Sequence, residues 1–246
     1  MDRRVSVLVA FWVFAAQAWA QENVTTLGIQ FKPMVTSQFF GTGPETDTNG
    51  EITVDFEPRF GINFGMVIRK GLTKNWSLET GINLVQRNYR VRYYQDQLPQ
   101  PHVLSYRFIG YEMPLQGMIY VRLGENLYMN ASGGLSIDFY PTGVETTDSD
   151  RLDTLRFDFN QKTYRNNWIQ FSVLANYGFE WRTKEKGYFY LGASFHRPFS
   201  DIAKSVTTFY LNTNPTRLEY PLSGSYLTVD LRYFFHEDPE RKKKKK

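Results

Sequence analysis

Apolar and polar side chains alternate along most of this chain with a period of two. Between Ile169 and Trp181 the odd positions are apolar or aromatic: Ile169, Phe171, Val173, Ala175, Tyr177, Phe179 and Trp181. The even positions Gln170, Ser172, Asn176, Gly178 and Glu180 are polar or small, with Leu174 the exception. Leu127–Phe139 and Leu227–Phe235 repeat the pattern. Phe56–Ile68 places Phe56, Phe60, Ile62, Phe64, Met66 and Ile68 on one face, and Glu57, Arg59, Gly61, Asn63 and Gly65 on the other. Successive side chains of a strand point to opposite sides, so these runs predict strands with one greasy face. No stretch carries the 3.6-residue period of an amphipathic helix.

Eight such runs follow one another: Leu27–Phe39, Phe56–Lys70, Trp76–Arg92, Tyr106–Arg122, Asn126–Tyr140, Trp168–Arg182, Tyr188–Phe199 and Ser225–His236. The connections alternate in length. Gly71–Asn75, Leu123–Glu125 and Thr183–Gly187 are short enough for tight turns and contain the Gly, Asn and Lys that suit them. Phe40–Asp55, Tyr93–Ser105, Pro141–Asn167 and Ser200–Gly224 are long and rich in Thr, Asp, Pro and Asn. Short turns at one end and long loops at the other predict an all-β fold, an eight-stranded antiparallel up-and-down barrel in a single domain.

The N-terminus determines where such a barrel goes. Asp2-Arg3-Arg4, an apolar run Val5–Ala16 and the small-x-small triplet Ala18-Trp19-Ala20 have the layout of a secretory signal peptide over residues 1–20. That apolar run is too short for a membrane-spanning helix, which needs roughly 20 residues. No later segment is long and apolar enough either, so a closed barrel is the one spanning structure open to residues 21–235. Residues 236–246, HEDPERKKKKK, are expected to be a solvated charged tail. The competing expectation is an anchor on anionic lipid headgroups.

Alternation alone does not say whether the apolar face points inward or into lipid. Soluble calyx-like barrels share it. Runs of 12 residues or more exceed the roughly 9–11 that a tilted strand needs to cross a bilayer. Aromatics crowd the run ends, with Trp76, Trp181, Tyr188 and Phe189 near the short turns and Tyr89, Phe139, Tyr140, Trp168 and Tyr226 near the loops, as interfacial girdles would. The polar face mixes Lys32, Glu57, Arg59, Glu79, Arg87, Glu112, Arg122, Asp138, Glu180, Arg182, Asp230 and Arg232 with Gly, Ser and Asn. An eight-stranded interior is just wide enough for side chains. These observations predict a transmembrane barrel of the bacterial outer membrane, apolar outside and plugged by paired charges inside, with short periplasmic turns and long extracellular loops.

Charge agrees with this reading. The net +4 arises at the two ends, and Gln21–Phe235 holds 21 basic and 21 acidic residues. A neutral body argues against a nucleic-acid partner. There is no Cys, which removes disulfide frameworks, thiol nucleophiles and cysteine-ligated zinc.

The run Arg107-Phe108-Ile109-Gly110-Tyr111-Glu112-Met113-Pro114-Leu115, closed by Tyr120 and Arg122, resembles the F-x-x-x-E-x-P-L fourth strand of PorT-like outer-membrane β-barrel proteins of Bacteroidota. Phe60–Gly65 and the closing strand Tyr226–Phe235 resemble that family too. The resemblance implies a small barrel behind a signal peptide and leaves open an accessory role in type IX secretion. Asp230 departs from it, standing where a small residue is usual.

Candidate chemistry is sparse. Ser194 and His196 lie two apart on one strand, roughly 7 Å from each other, a pair that some outer-membrane lipid deacylases would need at the lipid surface. Here Phe195 takes the outward position, which favours two ordinary lumenal side chains. His102 and His236 have no ligand partner at metal-binding spacing, so neither catalytic nor metal residues nor a cofactor are assigned. The N-x-S/T triplets at Asn23, Asn75 and Asn130 read as chance in a bacterial setting, and Gly61, Gly65, Gly71 and Gly81 as glycines that let strands coil. The function expected is a non-enzymatic scaffold or loop-mediated interaction protein. Outer-membrane lipid surrounds it, and an envelope protein or polysaccharide would bind through the long loops.

Overall fold

The computed structural model describes residues 24–36, 43–49, 52–95, 100–152, 155–183, 185–211 and 214–235. The expected signal peptide and the Lys-rich tail lie outside the described residues. Thirteen strands form in chain order among the described residues. They are β1 (Thr25–Val35), β2 (Glu45–Asn49), β3 (Ile52–Gly71), β4 (Trp76–Gln95), β5 (His102–Arg122), β6 (Leu127–Phe139) and β7 (Val144–Leu152). The remainder are β8 (Leu155–Arg165), β9 (Ile169–Arg182), β10 (Tyr188–Pro198), β11 (Ala203–Leu211), β12 (Asn214–Leu222) and β13 (Tyr226–Phe234). No helix occurs among the described residues.

Eight of these strands make a closed antiparallel ring in the order β1, β3, β4, β5, β6, β9, β10, β13. Closure is by β1, where Ile29 pairs with Met66 of β3 on one side and Tyr233 of β13 on the other. With no unpaired edge, the backbone ladders close on one another within the ring, as a bilayer requires. Each of the eight overlaps a predicted run, with residues 37–39 and 236 of those runs outside the described residues. The other five strands lie in segments expected to be loops, and these expectations are corrected. Most of Tyr93–Ser105 is strand, belonging to the ends of β4 and β5. The hairpins of the third and fourth long connections, β7–β8 and β11–β12, join through β8–β11 into one four-stranded sheet ordered β12-β11-β8-β7.

The polarity of the ring inverts along its length. On β5 the outward positions Ile109, Tyr111, Met113, Leu115, Ile119 and Val121 are exposed and apolar, while Glu112, Gln116 and Tyr120 point inward. This 13-residue stretch, at about 3.3 Å per residue and tilted about 40°, spans about 30 Å, the thickness of a hydrocarbon core. Beyond it the sides exchange roles: Ser105 and Arg107 face out, and Leu104, Tyr106 and Phe108 are buried inside. β4 does the same, with Arg87 the last charged inward residue before Tyr89, Val91 and Tyr93. Strands β3, β4 and β5 therefore continue outside the membrane as a wall around an apolar core. That core includes Val54, Phe56, Phe108, Tyr140, Phe159 and Ile202, and the second sheet closes over it.

A bulge on β3 adjusts the parity. Arg59 pairs with Asn88 but Ile62 with Gln86, so the ladder gains a residue between them. Two residues opposing one shift the side-chain alternation. Phe56 is therefore buried inside, whereas Phe60 and Phe64 remain exposed on the outside, correcting the expectation that all three share a face. Arg69 is lumenal by the same parity as Asn63. Two expected lumenal charges, Glu57 and Arg59, lie on the outer side, Glu57 pairing with Arg92 at 2.6 Å, and Arg122, at the exposed end of β5, donates to Gly124 O in the turn at 2.9 Å. The girdle is also corrected. Trp76, Trp168, Trp181 and Phe189 are exposed as expected, but Tyr89, Tyr140 and Tyr226 turn inward, and the Tyr226 hydroxyl donates to Glu112.

Candidate functional site

Two places hold the chemistry of this molecule: the membrane-level lumen and the outer sheet. In the lumen, strand alternation brings five cations (Lys32, Arg69, Arg87, Arg182, Arg232) to the same interior as five carboxylates (Glu79, Glu112, Asp138, Glu180, Asp230). A buried charge left unpaired costs several kcal/mol, so the interior is stable as a lattice and not as isolated groups.

The periplasmic tier is densely connected. Arg69 donates to Glu180 at 2.5 Å and to Glu79 at 3.1 Å. Arg182 binds Glu180 at 2.6 Å and lies 4.1 Å from the Tyr128 ring centre. Arg232 bridges Glu79 and Asp230, the latter at 2.7 Å, and Lys32 approaches Asp230 at 3.5 Å. The Arg69 guanidinium also lies 3.7 Å from the Phe234 ring centre, covering a delocalised cation with an aromatic face. Gly178 and Gly192, direct partners across β9–β10, leave the notch in which the Tyr190 ring lies. Its hydroxyl donates to Asn176 at 2.6 Å.

The upper tier is smaller. Glu112 of β5 accepts from the Asn63 amide at 3.0 Å and from the Tyr226 hydroxyl at 2.6 Å. Arg87 comes within 3.5 Å of Glu112 as an ion pair, but none of its guanidinium nitrogens completes a hydrogen bond. Asp138 of β6 accepts from Ser136 at 2.5 Å and from Ser172. His196 of β10 lies with Nε2 3.0 Å from Asp138 and 3.4 Å from Glu112, without hydrogen-bond angles to either.

The sequence pair Ser194 and His196 share the lumenal face as expected, but no bond joins them. Ser194 donates to Asp230 at 2.5 Å and accepts from Asn176 at 2.8 Å, placing it in the lower lattice. His102, expected in a loop, opens β5; its ring stacks on Phe159 at 3.8 Å and its Nε2 lies 3.4 Å from Asp148. Alternation within a strand does not show the grouping of Glu112, Asp138 and His196, because they come from three different strands, β5, β6 and β10. Arg69 was missed for a simpler reason: the predicted alternation was followed only to Ile68, one residue short.

Outside the membrane, the four-stranded sheet buries Phe159, Gln161 and Thr163 of β8 and Ala203, Ser205 and Thr207 of β11 against the wall. Tyr93 donates to Gln161 at 2.9 Å, and burial pushes its phenol pKa up. Phe56 stacks on Tyr220 at 4.1 Å, and Tyr220 donates to Glu45 of β2. The opposite face carries Lys162, Tyr164, Lys204, Arg217 and Glu219, with Glu145 binding Lys162 at 2.8 Å. Lys204 and Arg217 both bind Glu219 and hold its carboxyl below the ordinary range.

Several known proteins are similar to this chain. Its structure is similar to the crystal structure of the outer membrane protein OprG from Pseudomonas aeruginosa, at 11% identity, a TM-score of 0.48 and coverage of 88% of this chain and 99% of that one. It is also similar to the outer membrane protease OmpT from Escherichia coli, at 12% identity, a TM-score of 0.33 and coverage of 88% and 98%. No curated protein matches the sequence. The family model described as outer membrane protein beta-barrel domain matches residues 19–204. With that match spanning most of the chain and a closed eight-stranded ring that is apolar outside, the protein belongs to the outer membrane protein β-barrel domain family and is integral to the bacterial outer membrane.

Proposed function

We propose that this barrel is a non-enzymatic interaction protein with a plugged lumen, presenting its outer sheet to an envelope protein or polysaccharide. The observation that carries this reading is the joint folding of 141–167 and 200–224 into one sheet fixed on an apolar core. Binding residues are usually displayed on segments held by a rigid frame. The exposed face combines Tyr164, Lys204 and Arg217 with Glu145 and Glu219, a polar mixture suited to a hydrated partner. The commitment of Ser194 to Asp230 and Asn176 argues against a deacylase-like role for it.

Affinity purification from detergent-extracted envelopes tests the proposal. A Tyr164→Ala, Lys204→Ala, Arg217→Ala triple variant should lose a partner that the unaltered protein retains. Equal recovery with both proteins would defeat the assignment of this face. A PorT-like accessory role in type IX secretion is the second reading, favoured by the Phe108–Leu115 resemblance. A deletion strain that exports its cargo normally rules that role out.

A further inference from the structure

Glu112 and Asp138 are direct partners across the β5–β6 ladder, and both side chains point into the lumen. Like charges placed opposite one another on one face of a strand pair repel, and the repulsion grows where water is scarce. Arg87 offsets one of the two negative charges, at 3.5 Å from Glu112. Asp138 receives hydroxyl hydrogen bonds from Ser136 and Ser172, which carry no formal charge. His196 enters from β10, with both ring nitrogens buried and neither hydrogen-bonded. One donor atom from each of the three residues lies within 4.8 Å of the other two.

These spacings suit a cation. The His196 nitrogen is 3.0 Å from the Asp138 oxygen and 3.4 Å from the Glu112 oxygen. Tetrahedral ligands at zinc-like bond lengths of about 2.1 Å stand about 3.4 Å apart. A void of about 10 Å³, close to the space one water molecule fills, borders Glu112 and His196 beside Lys32 and Tyr226, with Asp138 outside its lining. Tyr226 fixes two of the three groups: its hydroxyl lies 2.6 and 2.7 Å from the Glu112 oxygens and its ring stacks on His196 at 4.6 Å. Such outer contacts are how metal ligands are usually oriented.

We propose that Glu112, Asp138 and His196 bind one first-row divalent cation in the lumen, tying β5, β6 and β10 together. One imidazole and two carboxylates suit Zn(II) and its neighbours better than Mg(II) or Ca(II). The test uses the full chain purified in detergent, stripped with EDTA, equilibrated with ZnCl2 and desalted. One zinc per chain should remain and should raise the unfolding temperature. Co(II) in its place should give a visible d–d absorption band at one equivalent. His196→Gln and Asp138→Asn, checked for folding by circular dichroism, should weaken retention more than about tenfold. Ser194→Ala, on the same strand but outside the ligand set, should keep the ion. Zinc retained equally by folded His196→Gln would overturn the site. If the ligand variants do not fold, the unaltered protein decides: the absence of both retained zinc and a Co(II) band would overturn it too.

Discussion

Asp230 shows how much one lumenal residue holds. Its carboxylate meets Arg232 at 2.7 Å, Lys32 at 3.5 Å, Ser194 at 2.5 Å and Thr228 at 2.6 Å, and it is fully buried. Removing it leaves Lys32 without its carboxylate and Arg232 with Glu79 alone in a low-dielectric interior, so Asp230→Ala is expected to cost about 3–5 kcal/mol. Glu219→Ala, on the exposed sheet face, should change stability far less, since solvent screens its ion pairs. Unfolding midpoints in detergent, followed by the heat-dependent shift in gel mobility, should separate the two. The departure from the PorT-like pattern at Asp230 thus has a structural reason, since the residue anchors the ion lattice. Single residues were legible wherever their strand kept an unbroken alternation, as Glu112, Asp138, Glu180 and Arg232 did. Phe56 was misplaced because Gly61, inside the bulge, reads equally as a glycine that lets a strand coil, and Arg122 because the last position of a strand belongs to its turn.

At the level of elements, the eight membrane strands were legible because lipid outside and charge inside impose strong alternation on each. The strands of the outer sheet were not, because their contrast is weak. β8 buries Gln161 and Thr163 beside Phe159, and β11 buries Ser205 and Thr207 beside Ala203, so polar residues occupy both faces. These inward polar groups bond one another across the sheet and wall, as Tyr106 and Ser205 do at 3.3 Å, a pairing no local pattern reveals. The stability of the sheet rests instead on a few large side chains. Phe159, in contact with Tyr93 at 5.3 Å and His102 at 3.8 Å, is the central one. Phe159→Ala is expected to cost the outer sheet about 3–5 kcal/mol, with the membrane ladders left intact. Protease added to whole cells should then cleave within 141–167, and the membrane-embedded fragment should persist. If that segment stays resistant, Phe159 is not what fastens the sheet.

For the whole molecule, the ring is closed and its interior filled with paired charges. An eight-stranded barrel has no spare width for a water column once side chains are in place. Planar bilayers containing the purified protein should therefore show no discrete conductance steps, and stable openings of fixed size would contradict a plugged lumen. Closure itself was legible, since eight strands in a membrane must end where they begin. The cap was not, because it depends on two hairpins more than 30 residues apart in sequence finding each other through β8 and β11.

The exchange of faces between Arg87 and Tyr89 has a practical outcome for anyone transplanting surface loops onto this frame. An insert joined above Tyr89 inherits an oily cradle and must bring its own underside to fill it. One joined below Arg87 must instead complete a salt lattice, and the same foreign loop will not satisfy both.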